Sequence, residues 1–580
     1  MSLRLICGRA GTGKSDFCFE EIKKNISNKE KIYMITPEQY SFTAEKKLLE
    51  KIETGATTNA EVLTFARMAY RVLSEVGGIT KLSLSKAGRA MLIYDILEKE
   101  KTNLTFLGKS NKNIELMETQ LTELKKHSVS LDMLDNVINN IEDRYLEEKL
   151  KDIIHIYGLY EEKLKGKYIE ENDRLEILAN KLEESNLFEN CIFYIDEFSG
   201  FTKQEYKIIE KLLKVAKEVN ITITTDNLDL NTNMETDLFY ESKKTADKLL
   251  YIARSNEIKC EKTIFMDEFH RFKNKELIHL EQNIQSVPYK KYEQNIENLS
   301  IFLAKNPYSE VEYVAKEIVK LVKYNNYRYR DIIVITNEIE NYASLAKAIF
   351  GAYDIPVFID EKKELSQNEF AKYILALLEV FSSNWSYEAV IQYLKIGFTD
   401  IEKEEIYEFE NYCKKWGIKG SKWYKGNWNF GEQEEDKKEK AERMLKIRER
   451  VITPLLKLKE NLVGSKKVEQ INLEIYNFLV ENKIQEKIKE KQINLEEQGK
   501  IELAKEEELA WNIVMQVLDE IETLFSEDNI SFEKYRELLK IGLEQVGLGK
   551  IPQTQDQVII GSLDRTKASN LKTIFIIGGV

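Results

Sequence analysis

The sequence predicts an α/β protein with two cores, each built on a parallel sheet and each interrupted by a mainly helical insertion. Three observations lead to this fold class. Short apolar runs without polar alternation recur along the chain, as expected for strands that are buried on both faces of a parallel sheet. Long charged stretches with apolar residues three and four positions apart separate them, which is typical of helices. Only six prolines and 25 glycines occur in 580 residues, and this also favours long helices.

The apolar runs fall into two groups, one for each core. The first group predicts strands at residues 3–7, 31–36, 191–195, 221–225 and 263–266. The second group predicts strands at residues 299–304, 331–336, 355–359, 558–561 and 573–577. Because strands and helices alternate within each group, both sheets are expected to be parallel and doubly wound.

The charged helical stretches set the expected domain boundaries. At roughly 150 residues per domain, a chain of this length holds about four domains. We expect a first core from residues 1–83 and 187–295, with a helical insertion at 84–186. We expect a second core from residues 296–370 and 549–580, with a helical insertion at 371–548. A buried-strand pattern lies three residues before the last residue, so the second core is expected to be incomplete and the chain to be a shortened form of a longer protein.

Composition points to a soluble cytoplasmic protein. Hydrophobic residues make up 43% and charged residues 32% of the chain, and no run of about 18 apolar residues predicts a membrane span. The five cysteines form no C-x-x-C pair, so reduced thiols are the expected state. The net charge of −13 argues against a protein that coats DNA with positive charge, although a local basic groove remains compatible with it.

One motif carries the most specific chemistry, a glycine-rich loop between the first strand and the first helix. It matches the phosphate-binding pattern G-x-x-x-x-G-K-[ST] without a mismatch. The small residues let backbone N–H groups curl around phosphate oxygens, and the following helix directs its positive end at the same anion. Its lysine is expected to reach the β- and γ-phosphates of ATP, and its serine to bind Mg²⁺. The residues are Gly8, Arg9, Ala10, Gly11, Thr12, Gly13, Lys14 and Ser15.

An acidic pair supplies the second half of an ATP site. Asp196 and Glu197 directly follow the apolar run at 191–195. Asp196 is expected to hold Mg²⁺, and Glu197 to orient or deprotonate the attacking water. Lys14 and Asp196 are 182 residues apart, so the two motifs can meet only if an inserted domain lies between them. The stretch at 84–186 supplies such an insertion.

Further segments follow in a characteristic order. They are residues 36–42, 62–67, 194–202, 329–332, 355–360 and 561–566. Together with the glycine-rich loop, they make the chain similar along its whole length to the AddB (RexB-like) family, which provides one of the two chains of bacterial AddAB helicase–nucleases. This family is related to superfamily 1 DNA helicases. The resemblance implies two RecA-like cores, an ATP site in the first core, and double- and single-stranded DNA running across both.

The resemblance also implies partners and a biological role. It implies a heterodimer with an AddA-like helicase–nuclease subunit, no membrane association, and action in double-strand break repair by homologous recombination with recognition of a hotspot sequence. Thr36, Gln39, Thr64, Phe65 and Arg67 lie in segments that touch single-stranded DNA in relatives. Phe65 is explained equally well as a core residue. The family's nuclease domain and its iron–sulfur cluster are expected only in a C-terminal part that these 580 residues lack.

The sequence departs from superfamily 1 motors at three places. The usual adenine-reading glutamine segment has no room before Leu3. Asn337 follows the run at 331–336 where motors usually carry an arginine aimed at the γ-phosphate, and loss of such an arginine costs on the order of 10³-fold in hydrolysis. Asp226-Asn227 stands where motors have Gly-Asp-x-x-Gln. We therefore expect an ATP-binding hydrolase subunit that is a weak motor, with its own ATPase activity left open. The alternatives are an independent ATP-driven DNA translocase and a non-catalytic scaffold for DNA and partner.

Overall fold

The computed structural model describes most of the chain. The described residues are 1–27, 30–52, 59–77, 82–107, 113–138, 140–230, 237–361, 363–428, 435–462, 464, 466–548, 556–563 and 571–579. Of the family-like segment at 561–566, the last three positions therefore lie outside the described residues.

The N-terminal half alternates strands and helices around one long helical stretch. Its first part contains β1 (Ser2–Gly8), α1 (Lys14–Asn25), β2 (Ile32–Ile35), α2 (Glu38–Lys51), β3 (Ala60–Leu63), α3 (Phe65–Val76) and β4 (Leu82–Ser83). The helical stretch contains α4 (Lys86–Glu100), α5 (Asn113–Lys126), α6 (Leu131–Ile138), α7 (Arg144–Leu164), β5 (Tyr168–Ile169) and α8 (Glu171–Lys181). Then follow β6 (Ile192–Ile195), α9 (Lys203–Val215), β7 (Glu218–Thr224), α10 (Tyr240–Ser255), β8 (Lys259–Cys260), β9 (Ile264–Met266) and α11 (Lys275–Asn283).

The C-terminal half repeats this arrangement with a longer helical stretch. It opens with α12 (Pro307–Tyr324), β10 (Ile332–Ile335), α13 (Ile339–Ala352), β11 (Val357–Ile359) and β12 (Lys363–Glu364). The helical stretch contains α14 (Glu369–Ser382), α15 (Tyr387–Lys395), α16 (Lys403–Trp416), α17 (Glu435–Leu462), β13 (Lys466–Lys467), α18 (Val468–Glu481), α19 (Ile484–Glu497), α20 (Ile501–Phe525), β14 (Asn529–Ile530) and α21 (Phe532–Gln545). The half closes with β15 (Gly547–Leu548), β16 (Val558–Gly561) and β17 (Thr573–Ile576).

The first sheet has the strand order β3-β2-β6-β7-β1-β8, and β9 also pairs with β1. Every pairing in it is parallel. The strands β2 and β6 are buried along their whole length, because helices cover both faces of the sheet. In a parallel sheet all carboxyl ends of the strands meet at one edge. Loops that are far apart in sequence are therefore brought together along that edge.

The second sheet has the order β11-β16-β10-β17 and is also parallel. Its core is formed by the strands with α12 and α13, and includes Ile318, Val334, Phe350 and Ile560. The α/β fold class predicted from the sequence, with two parallel-sheet RecA-like cores, is confirmed. The strands predicted from apolar runs are present in both sheets, with one exception.

The exception is the run at residues 299–304, for which the strand prediction was wrong. In the structure these residues join neither sheet. Ile301 and Leu303 are 96% and 93% exposed, and only Phe302 is held, with its ring stacked on Tyr313 of α12 at 3.8 Å between centroids. An apolar run becomes a strand only where another backbone pairs with it. The described part of the chain places no strand beside this one.

The two helical stretches pack into one unit, which the sequence does not predict. Helices α4–α7 and α14–α21 share a single hydrophobic core, and we call them together the helical body. The two stretches meet where α21 packs on α4 and α20. A Cβ atom added to Gly542 would lie 2.7 Å from Val517 Cγ1 and 3.4 Å from Met91 Sδ. A glycine at this position lets the three helices approach each other closely.

A buried carboxylate also joins the two stretches of the helical body. Asp95 of α4 is fully buried, and Lys163 of α7 and Lys534 of α21 donate to its two oxygens at 2.9 and 2.5 Å. Burial alone would raise the pKa of Asp95, but the hydrogen bonds from Lys534 and Lys163 outweigh it and hold this pKa at about 2. At the N-terminus of α4, Glu520 of α20 accepts the backbone N–H of Ser85 at 2.9 Å.

Short strand pairs lie where the chain enters and leaves the helical body. Strands β4 and β5 pair over two residues at the base of the first stretch, and β12 and β15 do so at the base of the second. Helix α8 follows β5 and packs on α3 and α9, so its Leu178 belongs to the core of the first sheet. None of the helices among the described residues has the length and apolar character that crossing a membrane requires.

Candidate functional site

The glycine-rich loop lies at the carboxyl edge of the first sheet, between β1 and α1. Gly11 and Gly13 have φ angles of +82° and +86°, in the left-handed region that favours glycine. The Lys14 ammonium donates to the carbonyl oxygens of Gly8 and Arg9 at 2.8 and 3.0 Å. The Thr12 hydroxyl donates to the same Arg9 carbonyl at 2.9 Å. The loop is thus curled, with its lysine folded across it.

Gly8 lies at the end of β1, packed against the neighbouring strand β9. It is paired with Met266 at the end of β9. A Cβ atom at Gly8 would lie 2.5 Å from Thr12 Oγ1 and 2.7 Å from the Met266 carbonyl oxygen. Both distances are shorter than a van der Waals contact, so any larger residue would displace the loop or β9. The first glycine of the motif is therefore required for packing as well as for the turn.

The acidic pair follows β6, which β7 separates from β1 in the sheet. Asp196 is buried and accepts the Thr222 hydroxyl of β7 at 2.6 Å. Glu197 has a φ of +69°, which costs a residue with a side chain about 1–3 kcal/mol. Its carboxylate accepts the Ser15 hydroxyl of α1 at 2.8 Å. The structure thus brings the serine of the loop and the acidic pair into direct contact across 182 positions of sequence.

Charges of both signs influence the loop lysine. Burial is the main cause that lowers the pKa of Lys14. The carboxylates of Asp196 and Glu197 act against this effect, whereas the positive charge of Arg271 lowers the pKa further. A buried ammonium is stabilised by an anion placed beside it. The electrostatics of the loop therefore suit an anionic ligand such as a phosphate group.

The donor atoms beside the loop also suit a magnesium ion. Ser15 offers a hydroxyl oxygen, and Asp196 and Glu197 offer carboxylate oxygens, which are the ligands that this hard cation prefers. No group of three or more histidine, cysteine, aspartate or glutamate side chains placed to hold a metal occurs among the described residues. A few protein oxygens completed by water and phosphate is the usual arrangement for Mg²⁺ with a nucleotide, rather than an all-protein cage.

A second layer of contacts, not predicted from the sequence, holds the loop from outside. The Arg9 guanidinium donates to the Glu281 carboxylate of α11 at 2.8 Å and to its backbone carbonyl at 2.7 Å. It also lies over the Phe239 ring at 4.9 Å and 3.9 Å from the Asp226 carboxylate. Lys243 is buried and forms an ion pair with the same Asp226 at 3.2 Å. Asp226, which stands where superfamily 1 motors have Gly-Asp-x-x-Gln, thus helps to fix the glycine-rich loop.

Three of the five candidate DNA-contacting residues are buried in the structure. Thr36 is 1% exposed, and its hydroxyl has no hydrogen-bond partner among the described residues. Thr64 accepts the Arg67 N–H at 3.2 Å and caps α3. Phe65 is 6% exposed, and its ring packs edge-on against Phe198 at 5.6 Å. Its burial favours the alternative explanation of Phe65 as a core residue.

The other two candidate DNA-contacting residues are exposed. Gln39 lies in the first turn of α2. Arg67 lies in the first turn of α3, where its guanidinium forms an ion pair with Glu45 of α2. Both follow strands of the first sheet, β2 and β3, and therefore lie at the same edge as the glycine-rich loop. These are the two candidates whose side chains a bound strand could reach.

The fold and this site define a class: a P-loop protein with two parallel α/β cores and a large helical body inserted between their strands. Comparison with known proteins shows one family to which the chain is similar. Residues 5–281 match the family described as "ADDB, N-terminal". Along its whole length the chain is similar to proteins named as the B-type subunit of an "ATP-dependent helicase/deoxyribonuclease", which confirms the resemblance drawn from the motifs.

The relatives are longer than this chain. It is 40% identical over 594 residues to the protein of that name from Thermoanaerobacter sp. (strain X514), covering 100% of this chain and 52% of the relative. The identity is 40% with the Caldanaerobacter subterraneus subsp. tengcongensis protein, covering 100% and 51%. It is 38% with the Clostridium novyi (strain NT) protein, also covering 100% and 51%. The chain spans about half the length of the curated relatives that it matches.

Proposed function

We propose that this chain binds ATP with Mg²⁺ at residues 8–15 and acts as a DNA-binding, helicase-like subunit. The observation that carries the proposal is the 2.8 Å contact between Ser15 and Glu197, because it puts the glycine loop and the acidic pair in one site. In this proposal Lys14 binds the β- and γ-phosphates. Ser15 and Asp196 hold the Mg²⁺, and Glu197 orients the attacking water.

The assembly proposed for the chain follows its relatives. They are called subunits of an ATP-dependent helicase/deoxyribonuclease, so we propose a heterodimer with an AddA-like chain in the cytoplasm. Its role there is double-strand break repair by homologous recombination with recognition of a hotspot sequence. The expected organisation is a first core (1–83 and 187–295) that binds ATP and a second core (296–370 and 549–580) that contributes to the DNA path. The insertions at 84–186 and 371–548 supply the helical body.

We propose further that this subunit is a weak motor, because two strand ends lack the groups that motors use. In the second sheet, β10 ends at Ile335 and is followed by the buried Thr336 and by Asn337, so this strand end carries no arginine. In the first sheet, Asp226 is held by Lys243 and Arg9. Neither place offers the group that superfamily 1 motors use to sense the γ-phosphate or to couple its loss to DNA movement.

The experiment compares ATP binding and turnover in three proteins: wild type, Lys14→Ala and Lys24→Ala. Lys24 is exposed near the end of α1 and serves as the matched control. We expect Mg²⁺–ATP binding to weaken about 100-fold in Lys14→Ala, the size of a lost charge-assisted contact, and to stay unchanged in Lys24→Ala. Binding can be measured by calorimetry.

Turnover with single-stranded DNA then separates the alternatives. We expect slow or no hydrolysis by the chain alone. Turnover of tens per second that is lost in Lys14→Ala would instead establish an independent translocase. Failure of the wild type to bind ATP, with DNA binding retained, would establish the non-catalytic scaffold.

A further inference from the structure

Residues 267–272 follow β9 and lie directly on the glycine-rich loop. Strand β9 runs parallel to β1, with Met266 beside Gly8, so both strands end at the same edge. Past that edge, the backbone N–H groups of His270 and Arg271 donate to the Gly11 carbonyl oxygen at 2.9 and 3.1 Å. The segment is therefore attached to the middle of the loop by main-chain hydrogen bonds, which do not depend on which side chains it carries.

The side chains of this segment pack so closely over the loop glycines that a side chain on either glycine would crowd them. A Cβ atom added to Gly11 would lie 3.0 Å from Arg271 Cβ and 3.1 Å from the Phe272 ring. One added to Gly13 would lie 3.0 Å from the His270 ring. The root of the Arg271 side chain is thus fixed beside the turn that would wrap the phosphates.

The charge on Arg271 is available for a ligand, unlike that of the other arginine at the loop. Arg9 is occupied by Glu281, Asp226 and the Phe239 ring. Arg271 is exposed, and within the described ranges no carboxylate lies at ion-pair distance from its guanidinium. Its charge is also felt at Lys14, whose pKa it lowers. Two cations that repel each other across a phosphate cradle are stabilised together by an anion between them.

We propose that Arg271 is a second phosphate-binding side chain, supplied in cis, that contacts the terminal phosphate of a nucleoside triphosphate held at residues 8–15. This inference rests on the proposed ATP site and deepens it. A guanidinium can bind two phosphate oxygens at once, which a lysine cannot do. Because the proposed contact is made to the terminal phosphate, which a diphosphate lacks, Arg271 favours the triphosphate over the diphosphate. Binding of the terminal phosphate also fastens residues 267–272 to the loop.

The test measures affinities for Mg²⁺–ATP and Mg²⁺–ADP by calorimetry, using the full chain. The variants are Arg271→Gln, Arg271→Lys and the control Arg254→Gln, which changes an exposed arginine of α10. We expect Arg271→Gln to weaken ATP binding by about 10- to 100-fold. Its ADP affinity should change by less than about 3-fold, because the contact is made to the terminal phosphate. Arg271→Lys should lie between wild type and Arg271→Gln.

The outcomes distinguish this inference from the proposal on which it rests. If wild type does not bind ATP, or if Lys14→Ala binds it equally well, the ATP site itself is wrong and the role of Arg271 falls with it. If Lys14→Ala loses binding but Arg271→Gln keeps it, only the role of Arg271 is overturned. Equal losses for ATP and ADP, or the same loss in Arg254→Gln, would also overturn it, since either result indicates a general effect of charge. Unchanged circular dichroism of Arg271→Gln shows that a loss is not due to unfolding.

Discussion

The edge of the first sheet and the helical body use the same charged residue types in opposite ways. At the sheet edge, Lys14 and Arg271 lie at one glycine-rich loop, the acidic pair acts on the lysine, and the main contacts of the lysine are backbone carbonyls. In the helical body, Asp95 is enclosed by lysines from α4, α7 and α21. The second set is paired within the protein and holds helices together. The first set is arranged so that a phosphate and a cation complete it.

The difference shows that the type of neighbour decides whether a charge is structural or functional. A buried carboxylate surrounded by ammonium groups has all its hydrogen bonds within the fold, so its removal affects stability. A lysine held by loop carbonyls gains more from a ligand anion than from its present partners. Substitutions in the two regions should therefore affect different measurements.

The largest expected effect is on ligand binding at the sheet edge. In Gly8→Ala the new methyl group would meet Thr12 Oγ1 at 2.5 Å and the Met266 carbonyl at 2.7 Å, so the loop must shift. Such overpacking costs about 1–3 kcal/mol; where this cost falls on restoring the loop to its binding geometry, ATP affinity drops by about 5- to 150-fold. The control is Gly351→Ala in α13, where the added atom meets nothing within 4 Å. It should bind ATP as wild type does, and equal binding by both variants would refute this view of Gly8.

The next effect is on the stability of the helical body. Asp95→Asn removes the charge that Lys163 and Lys534 bind, and should lower the free energy of unfolding by about 1.5–3 kcal/mol. ATP affinity should not change. Thermal or urea unfolding monitored by circular dichroism measures the first quantity, and calorimetry the second. A variant as stable as wild type would show that the buried ion pairs contribute nothing net.

The stability difference between wild type and Asp95→Asn should also depend on pH. The pKa of Asp95 falls from 3.8 to about 2 on folding, so the unfolded state binds more protons between these values. The contribution of Asp95 is therefore complete above pH 3.8 and is lost as the pH falls towards 2. The stability difference between wild type and Asp95→Asn should shrink over this window. A difference that is constant down to pH 2 would contradict the assignment.

The smallest expected effect is on DNA binding at the sheet edge. If Arg67 contacts a phosphate of single-stranded DNA, Arg67→Ala should weaken binding a few-fold at moderate salt. It should also reduce the slope of log affinity against log salt by about 0.7. Arg71→Ala, one turn further along α3 in an ion pair with Glu61, is the control. Fluorescence anisotropy at several salt concentrations measures both, and identical slopes would exclude the contact.

Local signals in the sequence predict much of this structure. The motif at residues 8–15 and the pair at 196–197 are each continuous in sequence, and parallel strands bring their ends to one edge. Apolar runs predict most strands because strands buried on both faces carry no polar positions. The run at 299–304 has the same pattern without a paired backbone, and the pattern alone cannot show the difference. Strand β3 was not predicted, since Glu61 interrupts its four residues.

Contacts between distant segments could not be predicted from one sequence. The approach of Met91 to Gly542 depends on which apolar helix faces of the two insertions pack against each other. Each insertion is amphipathic by itself, so its own sequence does not show this. The attachment of residues 267–272 to Gly11 is made by the backbone, so no residue type signals it. One clue existed: the strand predicted at 263–266, if parallel to the first strand, directs the following residues to the glycine-rich loop.

The shared core of the helical body has a mechanical consequence. Its two halves are fused through α4, α20 and α21, whereas the chain passes between each half and its own sheet beside a ladder only two residues long. Thin ladders bend more easily than a packed interior shears. If either sheet moves relative to the helical body, bending should therefore concentrate at β4–β5 and β12–β15. The helical body itself should move as a rigid unit.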